Sequence, residues 1–467
     1  MTQTPSAGLN LRRFFAIDER EKVVALAQTT LGKLALFATV LIFVLLPPVV
    51  KRLHTPASII LLVAVAAIHA FLPKYRAPVL FTATWLVAFS NLPVSAYSYA
   101  SLLVLMVFGW CSLSFVRRHK NHIYARRPAA TLLIAIGLSV FGASLLPEGI
   151  ARELAWAFLM LCSGYIWFLS YAIVDQRSRH RSADLVQMGV MHPFWVATNN
   201  PAGKGATYLR KYLATNAHDL AVTQLKGLKL MIWAIVLLGI QMMLYWVFIQ
   251  KLKLPTQQQA MEAFFKHEPY PILVGWLAIT LELVSFTLYF AVFGHKLIAI
   301  ARLAGVRLPR NICRPLESRT LAEFWNRYNF YFKEVMVDFF YVPTFLRTFQ
   351  KYQRVRMFFA TFMAAGVGNL LFHLMRDIPE MKAHGIWATF ESYTSYMFYC
   401  VMLAIGIGIS QLRLHAGIKP SPTALGRLWS FFVIWFFIVC LHTFDPWTHT
   451  YTFREHFAFL ASLFGIN

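Results

Sequence analysis

The sequence predicts an all-α, polytopic membrane bundle, and two observations carry that expectation. First, 58% of the residues are hydrophobic and only 14% are charged, with a mean hydropathy of +0.55. A globular domain carries about 25% charged residues, so a 467-residue chain this apolar could not shield its surface from water. Second, the apolar residues come in blocks near the roughly 17–25 residues needed to cross a bilayer, with charged loops between them.

About eleven spans follow from those blocks. They are Leu34–Val50, Ala57–Leu72, Pro78–Val94, Tyr99–Val116, Ala130–Leu146, Leu154–Ile173, Leu230–Ile249, Ile272–Phe293, Met357–Met375, Trp387–Ile409 and Leu428–Leu441. The first ends at Pro47-Pro48, which removes donors and clashes with the preceding turn. Residues 1–30 read as a cytoplasmic N-terminal segment without a cleavable apolar leader, and 31–467 as a single multi-span membrane domain.

Forty-four Lys and Arg against twenty Asp and Glu give a formal charge of +24. The basic residues sit in the loops and build no separate basic face with interleaved aromatics, so nucleic acid is excluded as the partner and the lipid bilayer takes its place. "RRHKNHIYARR" (Arg117–Arg127) and the loops near 175–226 and 302–356 fall on one side when the spans are counted in order. The positive-inside bias makes that side, and the N-terminus, cytoplasmic in an inner (plasma) membrane, although Lys51 and Arg52 fall on the other side. Asn121, Asn199 and Ser318 are then cytoplasmic and Gln258 is opposite. Five cysteines without metal or redox spacing predict neither a disulfide framework nor a metal site.

Both long loops are expected to be structured, since such connections are more often functional than idle. The first holds "HPFWVATNNPAGKG", whose Pro, Gly and Asn predict irregular backbone. In the second, Phe324, Tyr328, Tyr331, Val335 and Phe339 recur at helical spacing, predicting an amphipathic helix over Phe324–Phe339 packed on the bundle. A neighbouring ridge runs Trp325, Asn329, Phe332, Met336. Asn329 is out of place there, because a buried amide costs about 1–3 kcal/mol if its hydrogen bonds go unmade. It needs a partner, and a neighbouring backbone would serve as well as a substrate.

Near the end of the Met357–Met375 block stands "NLLFH", Asn369 to His373. Counted back at helical spacing, one face reads Arg376, His373, Asn369, Gly366. Small and polar residues in a span face the bundle or a water-filled cavity. His373 therefore points inward, and an inward imidazole is suited to take a proton near neutral pH. The same pattern also fits a structural histidine bonding a carbonyl across helices.

These two segments resemble the membrane-bound O-acyltransferases (MBOAT). "EFWNRYNFYFKEVMVDFFYVPTFLR" (Glu323–Arg347) is similar to the family's F-W-x-x-W-[NH] segment, with Trp325 and Asn329 on the motif. "GVGNLLFH" (Gly366–His373) is similar to the helix that ends near the family's embedded histidine. Asn at 329 resembles the sterol and diacylglycerol branch; the alginate-acetylating and D-alanine-transferring branch more often has His there. "HPFWVATNNPAGKG" is similar to the family's Pro/Gly loop. The match covers about fifty residues, and it departs from the pattern in three places. Tyr328 stands for the second Trp, Leu374 follows His373 where many bacterial members have Gly, and "HG" occurs later, at His384-Gly385.

The resemblance implies an MBOAT-like bundle that passes an acyl group from a cytoplasmic thioester, acyl-CoA or an acyl carrier protein, to a hydroxyl on an envelope glycan, lipid or other acceptor. No resident cofactor is implied. His373 would be the general base, with His384 the alternative. Asn329 would polarise the carbonyl or position the acceptor. Trp325, Asn369, Arg327 and Lys333 would contact substrate, the cations on a rim with Arg347 that suits phosphates, an acidic carrier or an envelope acceptor protein. Two other readings stand beside it. One is a non-catalytic scaffold that keeps the fold. The other is a proton-coupled transporter using His373, Glu282 and Glu391, although the paired, broken repeats of many transporters are absent.

Overall fold

The computed structural model describes residues 16–45, 56–178, 182–196, 202–445 and 451–466. All regular structure among them is helical, apart from one isolated bridge between Leu213 and Val306. Among the described residues eight helices are long and apolar enough to cross a membrane: Ala96–Arg118, Pro128–Leu145, Ile150–Gln176, Ala217–Lys251, Ile272–Leu303, Gln353–Arg376, Thr394–His415 and Ala424–His442. Two sharply bent pairs raise the number to ten if each is one span. This is a helical membrane protein.

The difference from eleven has local causes. The expected spans Ala57–Leu72 and Pro78–Val94 are the helices Pro56–Phe71 and Arg76–Ser90, yet at 16 and 15 residues each is short for a crossing, and the chain turns by 112° between them. Pro73 and Pro78 bracket that bend, and each lacks the N–H that would continue a helix. The expected Trp387–Ile409 span is also broken: a short helix, Ile386–Ser392, precedes Thr394–His415. Near the start, Glu21–Gln28 belongs to the expected N-terminal segment but is a helix that buries Val24 and Ala27 and lies at 97° to the next one. Just before it, Asp18 pairs with Lys229. Pro47-Pro48, Lys51, Arg52 and Asn199 lie outside the described residues.

Ile150–Gln176 is the most enclosed of the eight helices, buried on every side from Cys162 to Ile173. An apolar helix without a polar face belongs at the centre of a bundle. Around it the helices approach closely where side chains are small. A Cβ on Gly227 would lie 3.1 Å from the Ala299 carbonyl oxygen, and one on Gly366 would lie 3.3 Å from Ala404 Cβ. Membrane helices, lacking a hydrophobic drive between them, associate through such contacts.

The two long loops are joined to each other. Ala214 N donates to Gly305 O (2.8 Å) and Arg307 N to Tyr212 O (2.7 Å), around the Leu213–Val306 bridge. The Gln224 amide nitrogen donates to Leu303 O (3.0 Å), and His69 Nδ1 lies 2.8 Å from Ala304 O.

Wide, π-type turns interrupt the helices at Val337–Tyr341 and Phe362–Gly368. The first is followed at once by Pro343, which cannot supply the next donor. The second is rich in Gly and Ala, and the two turns touch: a Cβ on Gly368 would fall 2.8 Å from the Phe340 ring and 3.0 Å from Met336 Sδ. Gly368→Ala must therefore push these two turns apart. Overpacking of this kind costs about 1–3 kcal/mol. A lowered thermal unfolding temperature in detergent is the expected result, and an unchanged one would mean that the contact is slack.

The loop assignment is testable by cysteine labelling with an impermeant reagent. Asn121 and Gln258 are both exposed, whereas Ser318 is buried and unsuited to it. In intact cells a cysteine at 258 should label from outside and one at 121 should not. The reverse pattern would invert the topology.

Candidate functional site

The segment expected as one amphipathic helix over Phe324–Phe339 is two helices, Leu321–Arg327 and Phe330–Met336, followed by the first π turn. Thr320 caps the first, its hydroxyl accepting from Glu323 N (3.1 Å). Tyr328 is extended and Asn329 is left-handed, with φ 50° and ψ 60°. Asn is one of the few L-residues that visits this region routinely. Periodicity missed the break because burial continues across it: Phe324, Tyr331 and Val335 of the expected stripe are buried, as are Phe332 and Met336 of the neighbouring ridge, while Tyr328 and Phe339 are half-buried.

An irregular stretch of the long loop satisfies the broken backbone. Asn311 O accepts from Phe330 N (2.7 Å), Asn311 Oδ1 accepts from Tyr331 N (3.2 Å), and Cys313 N donates to Arg327 O (2.9 Å). Tyr331 Oη donates to Pro309 O (2.9 Å). Asn311 thus caps the second helix in place of Asn329, whose own Oδ1 is buried without a hydrogen-bond partner among the described residues. An acceptor left dry in this way costs about 1–3 kcal/mol. A donor on a ligand would relieve it.

His373 lies one turn beyond the second π turn. Its ring faces Tyr396 (4.7 Å between centroids), Phe372 (5.6 Å) and Phe332 (6.2 Å). Nδ1 is buried and has no partner among the described residues. The expected small, polar face does turn inward, onto Thr394–His415. Gly366 packs on Ala404 there, and the buried Asn369 accepts a hydrogen bond from the Tyr396 hydroxyl (3.1 Å). Arg376 forks onto Asp377 (2.6 and 2.8 Å), which also accepts from the Tyr393 hydroxyl. Burial alone would raise the Asp377 carboxyl, but the bonds and charge of Arg376 outweigh it and hold the group below the usual range.

Trp325 connects the two segments. It packs edge-on to Phe332 (5.7 Å), and Phe332 in turn meets Phe372 (4.8 Å) beside the histidine. Trp325, Asn369 and His373 are thus brought to one region of the core, while Asn329 lies in the break between the helices that carry Trp325 and Phe332. Tyr328 turns the other way, stacked on Phe324 and near Phe290. Arg327 and Lys333, expected on a substrate rim, are occupied: Arg327 pairs with Glu323 (2.6 Å) and Glu317 (3.4 Å), and Lys333 with Glu334 (2.5 Å). His384 is exposed and near Glu380 (3.4 Å). Glu282 and Glu391 are both exposed, Glu391 in the short helix before the span, so neither stands with His373 as a relay would require.

A clasp on the same helix was not anticipated. Lys204, between Gly203 and Gly205, pairs with Glu334 (2.5 Å) and Asp338 (2.7 Å), and Asp338 also accepts from the Tyr171 hydroxyl (2.9 Å). All three residues of this Gly-Lys-Gly turn have positive φ. A Cβ on Gly205 would fall 2.8 Å from Asp175 Oδ2, which takes the Thr207 backbone N–H (2.7 Å). Burial disfavours the Lys204 cation, but its bonds to Asp338 and Glu334 outweigh that and hold its pKa above the usual value. Glu334, likewise desolvated, is held below the usual range by Lys204 and Lys333. The signal in the sequence was a lysine flanked by glycines, which looks like any turn until its carboxylates are known. Tyr393, Tyr396 and Tyr399 were more legible, recurring every three residues.

Among the described residues no group of three or more His, Cys, Asp or Glu could hold a metal ion. No known protein-family model matches this chain, and no curated protein matches it.

Proposed function

We propose that this chain is a membrane-embedded O-acyltransferase of the MBOAT type, moving an acyl group from a cytoplasmic thioester to a hydroxyl on an envelope glycan, lipid or other acceptor. One observation supports it above the others. Phe332, from the motif-bearing segment and packed on Trp325, meets His373 on the helix face that also holds Asn369; His373 Nδ1 is left without a partner among the described residues, and so is Oδ1 of Asn329, just before the helix that carries Phe332.

In this reading the His373 imidazole takes the proton of the acceptor hydroxyl as its oxygen attacks the thioester carbonyl. The Asn329 amide N–H donates to the oxyanion, while its orphaned oxygen accepts from the acceptor or donor molecule. The C–S bond then breaks, and the leaving thiolate recovers the proton from the imidazolium. General-base catalysis is typically worth about 10²–10⁴ in rate, and one oxyanion donor about 10²–10³. Acyl-CoA or acyl carrier protein is the co-substrate, and the plasma membrane with a cytoplasmic N-terminus is the setting.

The test uses purified protein in detergent with radiolabelled acetyl-CoA or palmitoyl-CoA and an envelope fraction as acceptor. Label should pass to the envelope fraction or, more slowly, to water. If neither thioester is consumed above the protein-free rate, the scaffold reading replaces this one.

A further inference from the structure

Where the Thr394–His415 helix ends and the Ala424–His442 helix begins, a groove of about 320 Å³ opens between them. Arg319, Arg413 and Lys419 line its polar side and Ile409, Ile418 and Trp429 its apolar side. None of its lining residues is acidic. The nearby Glu323 accepts from the Arg319 backbone N–H and is paired with Arg327. One Arg319 amino group donates to Ser421 O, while its Nε is buried without a partner among the described residues. Arg413 and Lys419 are exposed, and their side chains have no partner among the described residues.

Three cations without a counter-charge repel one another, and they do so here at the water-facing ends of two spans. Trp429, about two-thirds exposed, stands just inside the second span, the depth at which tryptophan favours the membrane–water boundary. The combination is amphipathic: positive at the rim, apolar along the wall. We propose that this groove seats an anionic glycerophospholipid of the leaflet that faces the basic loops. Its phosphate lies against Arg319, Arg413 and Lys419, and its acyl chains run along Ile409 and Trp429. A phosphodiester offers the acceptor oxygens that a guanidinium fork takes. A zwitterionic lipid carries the same phosphate but adds an ammonium to a site that already holds three positive charges. The site is independent of acyl transfer.

The measurement is native mass spectrometry of the full chain in detergent, titrated with phosphatidylglycerol, with phosphatidylcholine, and with phosphatidylglycerol in competition with sodium phosphate. Phosphatidylglycerol should bind the wild-type protein more tightly than phosphatidylcholine. Two basic residues near a membrane surface are together worth about thirty-fold, so Arg413→Gln with Lys419→Gln should weaken it by about that factor. Ser430→Phe, which obstructs the groove without changing charge, should cause a comparable loss. Arg118→Gln with Lys120→Gln, which neutralises two exposed residues of another basic loop, should leave affinity unchanged. The proposal is overturned if that control loses as much as the groove variants, or if the groove variants bind as wild type. It is equally overturned if sodium phosphate displaces the lipid at equal concentration, which would make this a free-phosphate site.

Discussion

Purified His373→Ala protein is expected to be folded and to have lost acyl transfer by about 10²–10⁴, the range of general-base catalysis. Folding should survive because the imidazole makes no hydrogen bond through Nδ1, and its neighbours Tyr396, Phe372 and Phe332 are held by other contacts. Removing the ring leaves no new unpaired group, only a partial cavity in an aromatic cluster. The matched control is His384→Ala. His384 is exposed at the end of a short helix, with Glu380 at 3.4 Å, and its removal should leave transfer intact. Asn329→Ala is expected to slow turnover as well, and since alanine is strained in the left-handed conformation its Gly counterpart is the cleaner variant there. If His384→Ala is inactive and His373→Ala active, the roles are reversed. If both retain the wild-type rate, the base is elsewhere.

Lys204→Met should destabilise the protein more than any other single change on the loops. It leaves Glu334 with Lys333 alone and Asp338 with only the Tyr171 hydroxyl. Breaking a fully buried pair costs about 3–5 kcal/mol. Here the side chains keep 15%, 19% and 34% exposure for Lys204, Glu334 and Asp338, so about 2–3 kcal/mol is the better expectation. Thermal unfolding in detergent reads it directly. The pH dependence follows from the directions of the shifts. Glu334 is lowered, so its contribution is complete above the unfolded value of about 4.3 and is lost as pH falls through the still lower folded value. Lys204 is raised, so its contribution is complete below about 10.4 and is lost only above that. The clasp should therefore be indifferent to pH through the neutral range and weaken in strong acid. A wild-type stability that falls between pH 6 and pH 8 would contradict this account of Glu334 and Lys204.

Much of the bundle was legible because span length and hydropathy are properties of the chain itself. The bend near Pro73 was not, since two apolar blocks flanking a short polar link look alike whether the chain crosses twice or turns back. Asn329 could be seen to be out of place, but for an incomplete reason. Its side chain interrupts an apolar ridge, and its backbone interrupts the helix, which a pattern of side chains cannot register. Gly366 lies within the second π turn, but that turn ends at Gly368, ahead of Asn369 and His373, so those two keep their helical spacing. The pairing of Arg327 and Lys333 is local: each has a carboxylate close by in the chain, at Glu323 and Glu334, which a search for substrate contacts passes over. Asn311 and Lys204 lie outside the segment they serve, and nothing in the residues themselves says that one will cap its second helix and the other pair with Glu334 and Asp338.

The joint between the two long loops has a consequence for how the protein is made. Ala214 is synthesised roughly ninety residues before Gly305, and at roughly 5–20 residues per second the wait for its partner is about 5–20 seconds. In that interval His69 and Gln224 also lack their acceptors, Ala304 and Leu303. The first half of the chain therefore waits without these contacts until the Ile272–Leu303 helix and the residues after it have been made. Assembly is gated by the arrival of four consecutive residues, 303–306, at which both halves are tied together at once.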